Sequence, residues 1–195
     1  LLNRVRSAAS SIMRPIAAAV AATGITPNQI TVMGFGVSLL SAFAFYRSEQ
    51  LLGGALLLSA GFFDILDGAV ARAAGRASRW GAVLDSVLDR YSDLVILGAI
   101  LISGLCDPVA GIAAMVGSVM ISYVRSRGEV EGIKMSSVGL MERAERMLLL
   151  SAAALVGYTW AGVILLAILT QVTVIQRLLH IHRSIRAEGA RAHAG

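Results

Sequence analysis

The chain is poor in the residues that keep a protein dissolved in water. Charged residues fill 15% of its 195 positions against 56% in the hydrophobic set. Its mean hydropathy is +0.74, a balance that excludes a soluble globular domain. Three prolines, 20 glycines and no low-complexity tract exclude a disordered or collagen-like chain as well. The single cysteine, Cys106, cannot close an internal disulfide, so nothing in the composition calls for an oxidising compartment. Placed before Asp107-Pro108 in an apolar loop, it reads as an inert thiol.

What is abundant is apolar runs. A membrane-spanning helix needs about 20 mainly apolar residues, and six such segments are placed at about 27–47, 50–71, 82–103, 108–127, 141–157 and 160–182. The segments between them are short and no fixed-period repeat is evident, so residues 1–195 are expected to form one all-α, six-span bundle. Thr26-Pro27-Asn28-Gln29 reads as a capping box with proline at the first helical position, and Asp107-Pro108 places proline likewise. Gly34 and Gly36 read as packing positions.

The net charge of +5, with a pI near 10.1, would suggest nucleic acid in a soluble protein. Its distribution suggests a membrane surface instead. Arg72, Arg76, Arg79, Arg125, Arg127, Lys134, Arg143, Arg146, Arg183 and Arg186 all fall on one side of the bundle, while Arg47 alone lies on the other. The positive-inside rule then places both termini in the cytoplasm. Trp80 and the Tyr158-Thr159-Trp160 stretch fall at opposite interfaces. Residues 1–23, with Arg4, Arg6 and Arg14 opposite Val5, Ile12, Ile16 and Val20, suit an amphipathic helix on the inner surface rather than a signal peptide, because Pro15 interrupts a short apolar run. Residues 183–195, with His180 and His182 just before them, are expected to form a polar tail. The chain begins with Leu1, as expected of a trimmed protein or a domain of a longer one.

Five carboxylates lie between residues 64 and 93: Asp64, Asp67, Asp85, Asp89 and Asp93. A charged carboxylate deep in a membrane helix costs about 2.5–3.5 kcal/mol on the insertion scale. Asp64, Asp67, Gly68 and Ala71 share one helix face, and Asp85 and Asp89 share a face of the next span. Oxygen donors with no His or Cys nearby suit hard divalent cations such as Mg²⁺ or Mn²⁺. Internal ion pairs with Arg72, Arg76, Arg79 or Arg90 are the other reading, and a cation transporter is a second function class that such a cluster would serve.

The pattern Asp64-x-x-Asp67-Gly68-x-x-Ala71-Arg72, then eight residues, then Gly81-x-x-x-Asp85-x-x-x-Asp89 resembles the signature of the CDP-alcohol phosphotransferases, matching all eight fixed positions. The resemblance implies a membrane enzyme that moves a substituted phosphoryl group from a CDP-linked lipid donor to an alcohol and releases CMP. It implies two divalent ions held by Asp64, Asp67, Asp85 and Asp89, with Asp89 also the general base, and a homodimer. It further implies donor contacts from Asn28, Gln29, Ile30, Thr31, Gly68, Ala71, Arg72, Ser78 and Gly81. Plain helix capping remains the alternative for residues 26–31. Asp93 lies outside the signature, either as a supporting acceptor or as a partner of Arg90.

The second half bears on the acceptor. Ser122 and Arg125, the Glu142-Arg143-Ala144-Glu145-Arg146 stretch, and Gln176-Arg177 resemble the inositol phosphate synthases of bacterial and archaeal lipids within that family, with Ala144 where those commonly carry proline. The resemblance implies an inositol phosphate acceptor bound by Ser122, Arg125, Arg146 and Arg177. Several fixed arginines suit a phosphate-bearing alcohol, of which glycerol 3-phosphate is the alternative.

Overall fold

The computed structural model describes residues 13 and 15–192, with side chains through residue 187. The described residues are helical and contain no strand. Residues 15–22 form α1, followed by α2 (Pro27–Tyr46), α3 (Gln50–Ala73), α4 (Arg79–Ile102), α5 (Pro108–Val130), α6 (Arg143–Leu155) and α7 (Thr159–Ala192). Of the amphipathic helix expected over residues 1–23, residues 1–12 and Arg14 lie outside the described residues, while Ile16 and Val20 fall on α1. Within α1, Ala17 is buried against Ile30, Leu66 and Val70.

Local chemistry sets the helix starts. Thr26 Oγ accepts from the Gln29 N–H while the Gln29 side chain accepts from the Thr26 N–H at 2.8 Å, the reciprocal capping box. Ser78 caps α4 by accepting from Gly81 N–H, and Asp107 caps α5 by accepting from the N–H groups of Val109 and Ala110. The loops at the arginine-free end turn on Gly104 and Gly157, at φ of 72° and 78°, where an L side chain would be strained. Between them Cys106 is buried. Burial, reinforced by the charge of Asp107, pushes its thiol pKa up and so keeps it protonated. Helix α7 runs on to Ala192 and so takes in most of the segment read as a polar tail. Nothing stops it, because Arg183, Arg186, Ala187 and Glu188 are good helix formers and no proline follows.

Among the described residues, α2, α3, α5 and α7 are long and apolar enough to cross a membrane. Helix α4 is equally long but carries Asp85, Asp89, Arg90 and Asp93. Helix α6 has 13 residues, a rise of only about 20 Å.

The packing pairs close a ring. Helix α2 packs on α3 and α4, α3 on α6, α6 on α7, α7 on α5 and α5 on α4. At every joint a glycine admits a neighbour that a Cβ would displace: Gly34 against Phe63, Gly54 against Ala154, Gly162 against Ala153, Gly117 against Thr170, Gly111 against Leu101 and Gly81 against Asn28. Small residues at helix crossings are the means by which membrane helices approach closely. Gly36, read as a packing position, has nothing within 4 Å of where its Cβ would be. Phe45, Ile100, Val163 and Leu166 fill the apolar interior, whereas Leu40, Phe43, Leu51 and Ile112 point outward. In water that outward surface would be a liability; against acyl chains it is matched.

The tightest joint supplies a test. A Cβ on Gly117 would lie 2.2 Å from Thr170 Oγ1, and Thr170 is fully buried. Gly117→Ala should therefore cost about 1–3 kcal/mol, read as a fall in the detergent unfolding midpoint. Gly36→Ala should be neutral or slightly stabilising. Equal midpoints for the two would contradict the packing.

Candidate active site

Two helices bring the carboxylates together, α3 with Asp64 and Asp67 and α4 with Asp85 and Asp89. The side-chain oxygens of Asp64, Asp85 and Asp89 lie within 4.8 Å of one another. Asp67, one turn along α3 from Asp64, is buried and accepts from Thr31 Oγ1 of α2 at 2.6 Å. A crevice lined by Thr31, Gly34, Ala60 and Ser92 holds all four aspartates and, across from them, Arg143 of α6. Like charges about 5 Å apart repel by about 3 kcal/mol per pair at an effective dielectric of 20, so the cluster needs cations. Arg143 meets that need in part: its Nη1 is 2.8 Å from Asp64 Oδ1 and its Nη2 is 3.1 Å from Asp89 Oδ1.

The alternative partners do not take that place. Arg90 Nη1 donates to the Ser86 carbonyl on its own helix. Asp93, read as a partner of Arg90 or a supporting acceptor, accepts from Arg146 Nη2 at 2.6 Å and lies 3.9 Å from Arg143 Nε, as the second of these.

Two cavities flank the cluster. One, of about 210 Å³, lies where α2, α3 and α4 meet and is walled by Asn28, Thr31, Asp67, Gly68, Ala71, Arg72, Ser78, Gly81 and Asp85. Its shape depends on missing side chains: Arg72 folds back over Gly68, and Gly81 leaves room for Asn28, whose Oδ1 would lie 2.8 Å from an added Cβ. Two expected members of this set are placed elsewhere. The Gln29 side chain is engaged in the capping box, and Ile30 is buried against α1 and α3.

The other cavity, of about 300 Å³, is lined by Asp85, Asp89, Asp93, Ser122, Arg125, Arg143, Arg146 and Arg177. All four residues expected around the acceptor are there, and the three arginines among them are already engaged. Arg125 pairs with Glu129 at 2.9 Å on the exposed rim. Arg146, 5% exposed, is held by Asp93. Arg177, 2% exposed, donates from Nε to the Val138 carbonyl at 2.9 Å and from Nη1 to the Ile121 carbonyl at 2.6 Å. It thereby ties α7 both to α5 and to the 131–142 loop.

Sequence reasoning gave Arg143 no role at the aspartates, naming it among the interfacial arginines and within the 142–146 stretch. The available signal was spacing, since Arg143 and Arg146 stand at i and i+3 and must share a face of α6.

The sequence between residues 24 and 182 matches the family described as CDP-alcohol phosphatidyltransferase. The chain belongs to that family. It is 40% identical over 178 residues to the archaetidylinositol phosphate synthase of Pyrococcus horikoshii, covering 91% of this chain and 95% of that one. It is 35% identical to the phosphatidylinositol phosphate synthase of Mycobacteroides abscessus, covering 89% and 84%. Among solved structures, the phosphatidylinositol phosphate synthase of Mycobacterium tuberculosis with manganese and citrate superposes with a TM-score of 0.78 at 31% identity, covering 87% of this chain and 88% of that one. The same enzyme with CDP-DAG bound gives 0.77 at 30%, covering 88% and 94%. As a CDP-alcohol phosphatidyltransferase the chain is a metal-dependent transferase, not a cation transporter.

The aspartates fit a divalent ion by two observations. Three carboxylate oxygens converge, and Asp85 Oδ1 is buried with no hydrogen-bond partner, a cost the structure bears unless a cation binds there.

In this phosphatidyltransferase Arg177 is a strut as well as a wall of the cavity. Arg177→Gln should remove the donor of the Val138 carbonyl in the loop, at about 1–3 kcal/mol, together with the added bond to the Ile121 carbonyl of α5, so it should lower the unfolding midpoint and expose the 131–142 loop to protease. A substitution that changes kinetics while midpoint and cleavage stay at wild-type levels would contradict the strut.

Proposed function

We propose that the chain transfers the phosphatidyl or archaetidyl group of a CDP-linked lipid to an inositol phosphate and releases CMP. The observation that carries this reading is how the carboxylates divide between the two cavities. Asp67 walls the one containing Arg72, Asp89 walls the one containing the arginines of α5–α7, and Asp85 belongs to both. A donor in the first cavity and an acceptor in the second would meet across the aspartates.

The roles follow from position. Asp64, Asp67, Asp85 and Asp89 would hold two Mg²⁺ or Mn²⁺ ions, which when bound neutralise the diphosphate and favour departure of CMP. Arg72 would grip the diphosphate as a bidentate fork, beside Gly68 and Ala71, where the open helix face admits the nucleotide. Asn28, Thr31, Ser78 and Gly81 complete that wall. Gln29 and Ile30 contribute by shaping the start of α2. Asp89 would take the proton of the acceptor hydroxyl as its oxygen bonds to the lipid-side phosphorus. The phosphorus–oxygen bond to CMP then breaks, and CMP leaves with the bridging oxygen. Ser122, Arg125, Arg146 and Arg177 would receive the acceptor's phosphate. The archaeal and bacterial relatives, named for inositol phosphate lipids, favour this acceptor over glycerol 3-phosphate.

We also read all six helices α2–α7 as crossing the membrane. In the ring α4 lies between α2 and α5, and α6 between α3 and α7, so each is flanked by helices that span. The charges of α4 then face the cavities rather than lipid, as intramembrane charges must. The arginine-rich end is cytoplasmic by the positive-inside rule, which puts the active site and both termini there. Residues 1–195 act as one unit with an interfacial N-terminal helix, and the family resemblance supports a homodimer through α4 and α5.

The test is CMP release by the purified protein with Mg²⁺, CDP-diacylglycerol or its isoprenoid ether counterpart, and either inositol 1-phosphate or glycerol 3-phosphate. Turnover should require inositol 1-phosphate and stop in EDTA. Asp64→Asn should abolish it, and Asp89→Asn should slow it about 10²–10⁴-fold with donor affinity retained. Arg125→Gln should raise the acceptor's KM about 10- to 150-fold, the worth of a charge-assisted contact, and Arg72→Gln the donor's. Equal use of glycerol 3-phosphate, or full activity in EDTA, would overturn the reading.

A further inference from the structure

Arg143 sits on the aspartates by charge rather than by directed bonds. Its Nε and Nη1 are buried yet complete no hydrogen bond, although three aspartates surround the guanidinium at 2.8, 3.1 and 3.9 Å. Of the other arginines of the same cavity, Arg146 also leaves its Nε unpaired but donates from Nη2 to Asp93, and Arg177 donates to two backbone carbonyls. Arg143 is also the first residue of α6, after an N-cap residue, Glu142, whose side chain makes no capping hydrogen bond. A cation at a helix N-terminus stands against the helix dipole, so its own helix gives it no reason to stay. Among the described residues its ion pairs are with these carboxylates alone.

A divalent cation on Asp64 and Asp89 and a guanidinium on the same oxygens exclude one another. We propose that Arg143 is a tethered counter-cation of the aspartate cluster, displaced by the divalent ion into the adjoining acceptor cavity, which it already lines. There its charge becomes available to the acceptor's phosphate. The proposal rests on the metal and acceptor roles proposed above. Because one residue serves either the carboxylates or the phosphate, the two ligands must favour each other. A phosphate that draws Arg143 away raises the affinity for the metal ion, and the metal raises the affinity for the phosphate by the same factor.

The experiment titrates Mn²⁺ into the purified full chain in detergent and counts free Mn²⁺ by electron paramagnetic resonance, with and without inositol 1-phosphate. No CDP donor is present, so nothing turns over. Arg143→Gln should bind Mn²⁺ at least tenfold more tightly than the wild type, while Arg143→Lys, which keeps the charge, should stay near it. Inositol 1-phosphate should tighten Mn²⁺ binding severalfold in the wild type and leave Arg143→Gln unchanged. Without Mn²⁺ the Arg143→Gln protein should unfold at a lower temperature than the wild type, and Mn²⁺ should restore it, which also establishes that the variant folds. Equal Mn²⁺ affinity for wild type and Arg143→Gln would overturn the proposal. So would coupling to the phosphate that survives in the variant. Asp64→Asn separates the two levels: if it binds Mn²⁺ like the wild type, the metal role fails, whereas if it loses Mn²⁺ and Arg143→Gln is unchanged, the counter-cation alone fails.

Discussion

Four carboxylates in a narrow crevice between membrane helices repel one another, and the rest of the arrangement answers that repulsion. Thr31 hydrogen-bonds Asp67. Arg143 reaches across from α6 to Asp64 and Asp89. Asp93, one turn beyond Asp89, holds Arg146, so positive charge from the far side of the ring is brought to face the cluster. A bundle built only for stability would place apolar residues here, because buried ion pairs seldom outperform a well-packed core. Keeping the charges makes sense where ions and phosphates must be bound.

The ring of helices serves this site through its glycines. Gly34 and Gly54 draw α2 and α6 onto α3, so the aspartate face of α3 meets both Thr31 and Arg143. Gly81 admits Asn28 at the start of α4 and opens the wall of the smaller cavity. Packing and function therefore depend on the same missing side chains, and a methyl group at such a joint would alter both.

Much of this was legible in the sequence. The apolar runs gave the helices, Thr26-Pro27-Asn28-Gln29 and Asp107-Pro108 gave two of their starts, and the spacing from Asp64 to Asp89 gave the carboxylate cluster. What escaped the reading depended on tertiary structure. Arg143 looked like one more interfacial arginine because only the α3–α6 packing carries it onto Asp64. That Arg177 is also a strut was not legible because its two carbonyl partners, on Ile121 and Val138, are 56 and 39 residues away in the chain. Ile30 was read for donor contact, and the structure packs it against α1 and α3. The extent of α7 was not legible because a basic segment after a span suits either an irregular tail or a continuing helix.

The central claim is that the aspartates are a divalent-cation site that Arg143 guards. Its most direct test is anomalous diffraction at the manganese edge from crystals of the chain grown with Mn²⁺. The account expects two peaks about 4 Å apart among Asp64, Asp67, Asp85 and Asp89, with the Arg143 guanidinium withdrawn toward Arg146. Absence of any peak at the aspartates, with Arg143 still seated between Asp64 and Asp89, would contradict it.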